Sequence, residues 1–336
     1  MVLSPRRDFV MGPEKYAEQK DIGDLRKEDP CLLKEDPCLL KEDPCLLFFK
    51  QNAPALIGAA LILQICFLGT ICFLTATTQQ LDAALLFLSL LAKTVFLTLL
   101  LYGTGWCVEN RGWRVAYTRK IIHVAFFAVP FWFDAHMPLS EEESVIWALW
   151  NINMVGWILL LITKPVRRLI PIVQTMYASS DRPEDKGLSQ IYAWIQIPLS
   201  IVIIGGFSVV LRVMGAAKWT MIPILAVAIG DGLAEPVAVF WEDRKWFGGT
   251  HKYRTFGLFS GDRVFTRSIE GSGTVFVGTL VSVLIYLKTM SDGQLIFFVC
   301  VLPIVITILE MVAPHSLDNP FLLFFGYLMT CSAALI

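Results

Sequence analysis

The chain has 336 residues, of which 55% are hydrophobic and only 17% are charged, and its mean hydropathy is +0.61. This composition is typical of a multi-pass membrane protein and excludes an ordinary soluble domain. The formal net charge of -1 gives no overall basicity, so we expect no nucleic-acid partner. The cysteines form no Cys-x-x-Cys pair and no Cys/His cluster, so neither a disulfide framework nor a zinc site is predicted.

The first fifty residues differ from the rest of the chain because they carry a repeated polar motif. The sequence KEDPCLL occurs without variation as Lys27–Leu33, Lys34–Leu40 and Lys41–Leu47. A proline in every repeat forbids a continuous helix. We therefore predict that residues 1–50 form a disordered cytosolic tail, followed by a membrane-embedded domain over residues 51–336. The repeat cysteines could instead carry lipid or bind metal, but no other residue supports either alternative.

From residue 51 onward, apolar runs of about 20 residues predict roughly nine transmembrane helices and an all-α, polytopic helix bundle. The third and ninth runs are short and could be tilted or re-entrant. The predicted spans are approximately Ala53–Thr75, Leu81–Tyr102, Lys120–Asp134, Ser144–Thr163, Ile191–Leu211, Trp219–Phe240, Gly273–Lys288, Gln294–Val312 and Phe321–Ile336.

The basic residues predict the orientation of these spans. If the N-terminus is cytosolic, the tail and inside loops carry 24 lysines and arginines, whereas the opposite side carries only Arg212, Lys218 and Lys288. Because positive charge favours the cytosolic side, we predict a cytosolic N-terminus. The acidic residues of the tail are not typical of an organellar transit peptide. The endoplasmic reticulum or the bacterial inner membrane is therefore favoured over the plastid envelope.

The GDGLAEP motif, Gly230–Pro236, places two carboxylates inside an apolar run that begins near Trp219. An ionised carboxylate at membrane depth is costly unless it meets a cation, water or a ligand. Asp231 and Glu235 are four residues apart, so on a helix they point the same way. Pro236 and the neighbouring glycines predict an irregular helix, of the kind that lines protein-walled cavities. The alternative is a polar seam that only joins helices.

Five predicted segments, including the one with Asp231 and Glu235, bring polar residues to the same cytosolic face. Considered one at a time, an arginine or lysine at the end of a transmembrane span ordinarily serves only to orient the protein in the membrane. A single histidine is ordinarily an interior residue whose hydrogen bonds are made within the protein. Their convergence with carboxylates favours a functional site. The set comprises Arg119, Lys120 and His123, then Asp231 and Glu235, Glu270 and Ser272, Glu310, and finally His315, Asp318 and Asn319.

The residue types in this set predict phosphate chemistry. Carboxylates without cysteines or a histidine cluster favour a hard ion such as Mg²⁺, which is usually shared with substrate phosphates. The RSIEGS motif, Arg267–Ser272, predicts a helix N-terminus, where free N–H groups and the helix dipole favour phosphate. Lys252, Arg254 and Arg263 add positive charge in the preceding loop. Phosphoryl or nucleotidyl transfer is therefore predicted, without the P-loop or protein-kinase motifs, which the sequence lacks.

The GDGLAEP and RSIEGS motifs, the earlier RKIIH (Arg119–His123) and the later glutamate followed by Asp-Asn resemble the polyprenol kinase family of membrane enzymes. This family includes dolichol, phytol and farnesol kinases and CTP-dependent diacylglycerol kinases, and it is more distantly similar to phosphatidate cytidylyltransferase. The resemblance extends from about residue 119 to residue 319. It implies that the chain transfers a phosphoryl group from a nucleoside triphosphate, often CTP, to a lipid alcohol with the help of a divalent metal.

The motifs and their chemistry together assign a predicted role to each candidate. The predicted catalytic residues are Asp231, Glu235 and Glu270, with Asp231 as the base that deprotonates the lipid hydroxyl. The predicted nucleotide-binding residues are Lys252, Arg254, Arg267, Ser268, Gly271, Ser272, Arg119, Lys120 and His123. The predicted Mg²⁺ ligands are Asp231, Glu235, Glu270, Glu310, Asp318 and Asn319.

The chain also departs from the family pattern. Ala238 stands where many members have glycine, the segment Phe240–Thr250 is expanded, and Arg267 stands where lysine is usual. The sequence therefore predicts a polyprenol, dolichol or phytol kinase whose partners are a nucleoside triphosphate, a membrane isoprenoid alcohol and the bilayer. The alternatives are a cytidylyltransferase that makes a CDP-lipid, a secondary transporter of an anionic solute, and a non-catalytic membrane relative.

Overall fold

The computed structural model describes residues 44–77, 82–135, 141–182, 185, 189–245, 249–255, 265–315 and 317–336, and these are mostly helical. The predicted tail lies outside the described residues up to position 43. Among the described residues, the first helix begins at Pro44, within the third KEDPCLL repeat and before the predicted domain boundary at residue 50.

Helices form the bulk of the described chain. In chain order they are α1 (Pro44–Thr77), α2 (Ala83–Arg111), α3 (Val115–Ala135), α4 (Glu141–Leu161), α5 (Lys164–Leu169), α6 (Pro171–Ala178), α7 (Ser189–Val213), α8 (Met221–Leu225), α9 (Gly232–Arg244), α10 (Ile269–Leu284), α11 (Asp292–Ile296), α12 (Leu302–Val312) and α13 (Asp318–Ala333). Short 3₁₀ turns cover Ala217–Trp219 and Leu287–Thr289, and π-helical segments cover Ala226–Asp231 and Phe297–Val301.

Among the described residues, five helical stretches are long and apolar enough to cross a membrane, which is consistent with a multi-pass membrane protein. Every predicted span overlaps a helix, but nine membrane spans are not confirmed. Helices α10 and α13 have 16 residues each. At 1.5 Å per residue such a helix is about 24 Å long, shorter than a hydrocarbon core of about 30 Å. The five stretches are Asn52–Thr77, Ala83–Arg111, Ser189–Val213, Ala217–Arg244 and Asp292–Val312.

A short β-hairpin corrects the prediction of an all-α fold. Strands β1 (Lys252–Thr255) and β2 (Phe265–Ser268) pair antiparallel, with Lys252 opposite Ser268. Strand β2 leads directly into α10, and the Ser268 hydroxyl caps that helix by accepting a hydrogen bond from the Gly271 N–H at 3.1 Å. Strands of four residues with charged side chains give no apolar alternation, so the sequence contained no clear strand signal. The predicted helix start at RSIEGS is confirmed.

The irregular helix predicted around GDGLAEP is confirmed as the π-helical segment Ala226–Asp231, which runs into α9. Helix α10 packs closely on this segment because glycines face each other. A Cβ atom on Gly278 would lie 2.5 Å from the Cα of Gly230, which is closer than side chains allow. Gly232 makes a similar approach to α3, where a Cβ would lie 2.6 Å from a methyl carbon of Val124. The glycines thus hold Asp231 between α3 and α10.

The apolar core surrounds this central segment. Val275 of α10 and Phe298 of the second π-helical segment are fully buried. Phe207 of α7 stacks on Tyr327 of α13, with ring centroids 5.4 Å apart. The Tyr327 hydroxyl donates a hydrogen bond to the Thr220 carbonyl at 2.9 Å, so the buried polar atom is satisfied. This packing fixes the elements that carry the polar residues.

Candidate functional site

A polar cavity of about 580 Å³ lies where α3, α9, the hairpin, α10, α12 and α13 meet. One face of α9, together with Asp231 just before the helix, lines the cavity. The lining positions on this face are three and four residues apart, as the sequence predicted for Asp231 and Glu235. Ten of the predicted site residues line this cavity: Arg119, Lys120, Asp231, Glu235, Lys252, Arg267, Ser268, Gly271, Glu310 and Asp318.

The deepest charge pair in the cavity joins α3 to the end of the π-helical segment. The Lys120 Nζ donates to the Asp231 carboxylate at 2.6 Å, and both side chains are more than nine-tenths buried. The His123 ring nitrogen Nε2 lies 3.7 Å from the same carboxylate and 3.4 Å from the Val227 carbonyl oxygen. Because an unpaired charge at this depth would be costly, Lys120 and Asp231 hold each other in the ionised state.

Two arginines hold the second carboxylate of the GDGLAEP motif. Arg119 and Arg182 both donate to the Glu235 carboxylate, the latter at 2.9 Å. The other terminal nitrogen of Arg182 lies 2.9 Å from His315 Nε2. His315 in turn stacks on Phe265 of β2, with ring centroids 4.1 Å apart. Glu235 thereby links α9 to α3 and to the segment after α6.

A third charged cluster surrounds Arg267 on β2. Its guanidinium donates to the Glu310 carboxylate and lies 3.5 Å from the Asp318 carboxylate. The Ser272 hydroxyl donates to the other Glu310 oxygen at 2.7 Å. Burial would lower the pKa of Arg267, but the neighbouring carboxylates raise it, so the guanidinium stays charged. The Tyr253 hydroxyl lies 2.8 Å from the Ser272 hydroxyl, and burial, followed by the charge of Glu310, raises the pKa of Tyr253 to about 12.

Glu270, which was predicted to be catalytic, does not line the polar cavity. Its carboxylate accepts hydrogen bonds from the His251 backbone N–H at 3.1 Å, and one oxygen lies 2.8 Å from the His251 ring nitrogen Nδ1. Burial would raise the pKa of Glu270, but these hydrogen bonds from His251 outweigh it and lower the pKa. In this geometry Glu270 fastens the entry of the hairpin to the start of α10.

The remaining predicted residues are distributed around the cavity. Lys252 pairs with Glu242 at 2.7 Å at the half-exposed edge, and Arg254, two residues further along β1, is exposed and does not line the cavity. Ser272 reaches the cavity only through Glu310. His123 and Asn319 line a second cavity, described below, instead of the polar one.

The charges that line the polar cavity are balanced. Arg119, Lys120, Arg182, Lys252 and Arg267 face five carboxylates, and each carboxylate already contacts at least one of these cations. Over the described part of the chain, no group of three or more His, Cys, Asp or Glu side chains could hold a metal ion. The described carboxylates therefore do not form a metal site in which protein side chains supply all the ligands. That the six residues named above bind Mg²⁺ together with a nucleotide stays a prediction.

A second, mainly apolar cavity of about 310 Å³ lies between α3, α4 and α7. It shares Arg119, Arg182, His315 and Asp318 with the polar cavity. These four side chains form the wall between a charged chamber and an apolar one. A molecule with a polar end and a hydrocarbon chain could therefore contact both cavities at once.

Several residues that line the polar cavity were not among the predicted site residues. Arg182 contacts the predicted Glu235. The sequence offered no reason to select it, because a single arginine in a loop ordinarily serves only to orient the protein in the membrane. Glu242 lies in the segment 240–250, which departs from the pattern of the resembled family. Helical spacing places it on the same face of α9 as Asp231, so this residue could have been predicted from the sequence. Ala238, which stands where many members of the resembled family have glycine, also lines the cavity. The others are Ala234, Val239, Thr250, Phe265 and Thr266, together with His315, which belonged to the converging polar set but had no predicted role.

The chain matches none of the family models, curated proteins or solved structures with which it was compared. Its resemblance to the polyprenol kinase family therefore stays a prediction that depends on the motifs.

Proposed function

We propose that the chain is a lipid-alcohol kinase that transfers a phosphoryl group from a nucleoside triphosphate to a membrane isoprenoid alcohol. The observation that carries this proposal is the contact between the two cavities, a charged one and an apolar one that share four ionisable side chains. A triphosphate and a lipid alcohol are the pair of substrates that such an arrangement suits. The motif resemblance supports the same chemistry.

The charged cavity is suited to neutralising phosphate. Phosphoryl transfer is catalysed mostly by positioning and by stabilising the charge on the transferring group. Lys120, Arg182 and Arg267 come from three separate elements and line one chamber. Their present carboxylate partners would hold them in place until an incoming phosphate competes for the same N–H groups. CTP is the donor that the family resemblance favours.

The geometry favours Asp318 over Asp231 as the base for the lipid hydroxyl. Asp231 is held by Lys120 and lines only the polar cavity, whereas Asp318 lines both cavities. In the proposed step the hydroxyl oxygen forms a bond to the terminal phosphorus while the bond from that phosphorus to its bridging oxygen breaks. The hydroxyl proton passes to the Asp318 carboxylate, and the nucleoside diphosphate leaves.

The test uses the purified full-length protein with labelled nucleoside triphosphates and a panel of prenyl alcohols. A kinase moves a γ-phosphate label to the alcohol, whereas a cytidylyltransferase that makes a CDP-lipid moves an α-phosphate label to a lipid monophosphate and releases pyrophosphate, so lipid monophosphates are assayed as acceptors beside the alcohols. Asp318→Asn should lower lipid-monophosphate formation by about 10²-fold. Asp292→Asn is the matched control because Asp292 is exposed at the start of α11 and lines neither cavity.

The proposal is wrong if no nucleotide and alcohol pair gives a labelled lipid monophosphate with folded protein. Gradient-driven uptake of an anionic solute into sealed vesicles, without any labelled lipid, would favour the transporter alternative. Adding a chelator tests the predicted metal requirement in the same assay, and activity that persists in excess chelator would exclude it.

A further inference from the structure

The residues that line the apolar cavity extend along three helices, as expected for the binding site of one hydrocarbon chain, and we call this cavity the channel. Its lining residues recur at helical spacing along α3, so one face of that helix forms a continuous wall. From the first to the last of them, eleven residues apart, the wall is about 16 Å long at 1.5 Å per residue. On α3 the wall comprises Arg119, Ile122, His123, Phe126, Phe127 and Pro130.

Helices α4 and α7 complete this channel with stripes of the same kind. The α4 stripe runs from Asn151 to Leu159 and is continued by Ile162 just after the helix, and the α7 stripe runs from Ser189 to Ile204. At about 310 Å³ the channel lies near the lower limit of small-molecule sites, which are roughly 300–1,000 Å³. That volume suits a single chain better than the two chains of a phospholipid.

A polar cluster adjoins the channel at the end away from the polar cavity. Asn151 donates to the Asp134 carboxylate at 2.6 Å and accepts from Lys93 at 3.1 Å. Lys93 is fully buried and also pairs with Asp134. These three side chains satisfy one another's hydrogen bonds, so no polar group of a ligand is required at this end of the channel. We call this end the Asn151 floor.

The opposite end of the channel offers a hydrogen-bond acceptor. The Asn319 side-chain oxygen Oδ1 is buried and has no hydrogen-bond donor among the described residues. Asn319 lines the channel next to Asp318, which receives hydrogen bonds from Gln196 at 3.2 Å and from the Asn319 backbone N–H at 3.0 Å. Buried polar atoms of folded proteins are nearly always paired, so this oxygen indicates a ligand that donates a hydrogen bond.

We propose that this channel binds one uncharged, single-chain lipid alcohol whose hydroxyl donates to Asn319 Oδ1 and whose chain runs along α3, α4 and α7 to the Asn151 floor. The inference rests on the proposed kinase function, and it assigns the lipid half of that site. An alcohol has the donor that the buried oxygen lacks. Before nucleotide binds, the single hydroxyl proton points to Asn319; for phosphoryl transfer, rotation about the C–O bond turns it to the carboxylate of the adjacent Asp318, which faces the charged cavity.

The experiment is photo-crosslinking in nanodiscs with geranylgeraniol that carries a diazirine at its tail, without nucleotide. The matched probe is the methyl ether of the same molecule, which keeps the chain and the oxygen but cannot donate a hydrogen bond. We expect labelled peptides from α3, α4 and α7, and labelling by the ether that is weaker by roughly tenfold, the ratio given by one well-formed hydrogen bond. Asn319→Ala should reduce labelling by the alcohol to the level of the ether.

A pair of tryptophan variants on α7 tests the location of the chain. Ile201 lines the channel, whereas its neighbour Val202 is exposed on the outside of the helix. Ile201→Trp should abolish the labelling, and Val202→Trp should leave it unchanged. If Ile201→Trp does not fold, the peptide map of the unmodified protein still decides the location.

Equal labelling by the alcohol and its ether would overturn the proposal, and so would labelling confined to outward-facing residues. Equally strong labelling of the same stripes by a photoactivatable phosphatidylcholine would show that the channel holds bilayer lipid. The two proposals fail separately. Selective labelling without any lipid monophosphate refutes the kinase alone, and lipid monophosphate formation with labelling elsewhere refutes the channel alone.

Discussion

The close packing of α10 on the π-helical segment can be tested with a single methyl group. In Gly278→Ala the new Cβ would lie 2.5 Å from the Gly230 Cα, whereas an ordinary contact is at least 3.4 Å, so α10 and the segment must separate by about 1 Å. Overpacking of this kind costs about 1–3 kcal/mol, and replacing a helical glycine by alanine returns about 0.5–1 kcal/mol. The net loss therefore lies between about 0 and 2.5 kcal/mol, and because the atom met is backbone and not a movable side chain, we expect the upper part of that range, about 1–2.5 kcal/mol.

The separation should also affect the site. Asp231 follows Gly230 directly, and its carboxylate accepts from Lys120 at 2.6 Å. A shift of about 1 Å would exceed hydrogen-bond distance, and misplacement of this size near an active centre can lower turnover by about 10²-fold. Gly278→Ala should therefore lower both the thermal unfolding midpoint in detergent and the rate of lipid-monophosphate formation.

Gly273→Ala is the matched control, because it makes the same change in the same helix where a Cβ would meet no atom within 4 Å. The control should be as stable as the unmodified protein or more stable, with unchanged turnover. If Gly278→Ala and Gly273→Ala behave alike in both measurements, the glycine contact does not position Asp231.

Three further outcomes are expected. Asp231→Asn removes the charge that holds Lys120, so turnover should fall by about 10²-fold or more; near-normal activity in folded protein would exclude an essential role for this carboxylate. Removing residues 1–43, which the repeats predict to be a tail, should leave the unfolding midpoint and turnover nearly unchanged, and loss of membrane insertion would contradict that prediction. Because His251 lowers the folded-state pKa of Glu270 below the usual 4.5, its stabilisation is complete above about pH 4.5 and is lost as the pH falls through the lower value. The midpoint of Glu270→Gln should therefore depend less on pH in the acid range, and identical pH profiles would refute the contribution of this pair.

Much of this protein was determined by local sequence. Long apolar runs predict helices in a membrane protein because the backbone must satisfy its hydrogen bonds internally in lipid. Spacing alone put Asp231 and Glu235 on one face, and the glycines with Pro236 predicted the irregular helix that the structure contains. The resemblance between motifs selected residues from separate segments, and ten of them line one cavity.

Tertiary structure decided which charges pair and which side chains reach the cavity. Arg182 contacts Glu235 and His315, which are 53 and 133 residues away along the chain, and no local pattern encodes those distances. Glu270 adjoins a predicted phosphate-binding turn, yet its partner is His251 because the hairpin folds back onto the start of α10. The apolar channel and the unpaired Asn319 oxygen likewise exist only once α3, α4, α7 and the start of α13 are packed together. Periodicity follows from backbone geometry within one element, whereas a cavity is the space left between several.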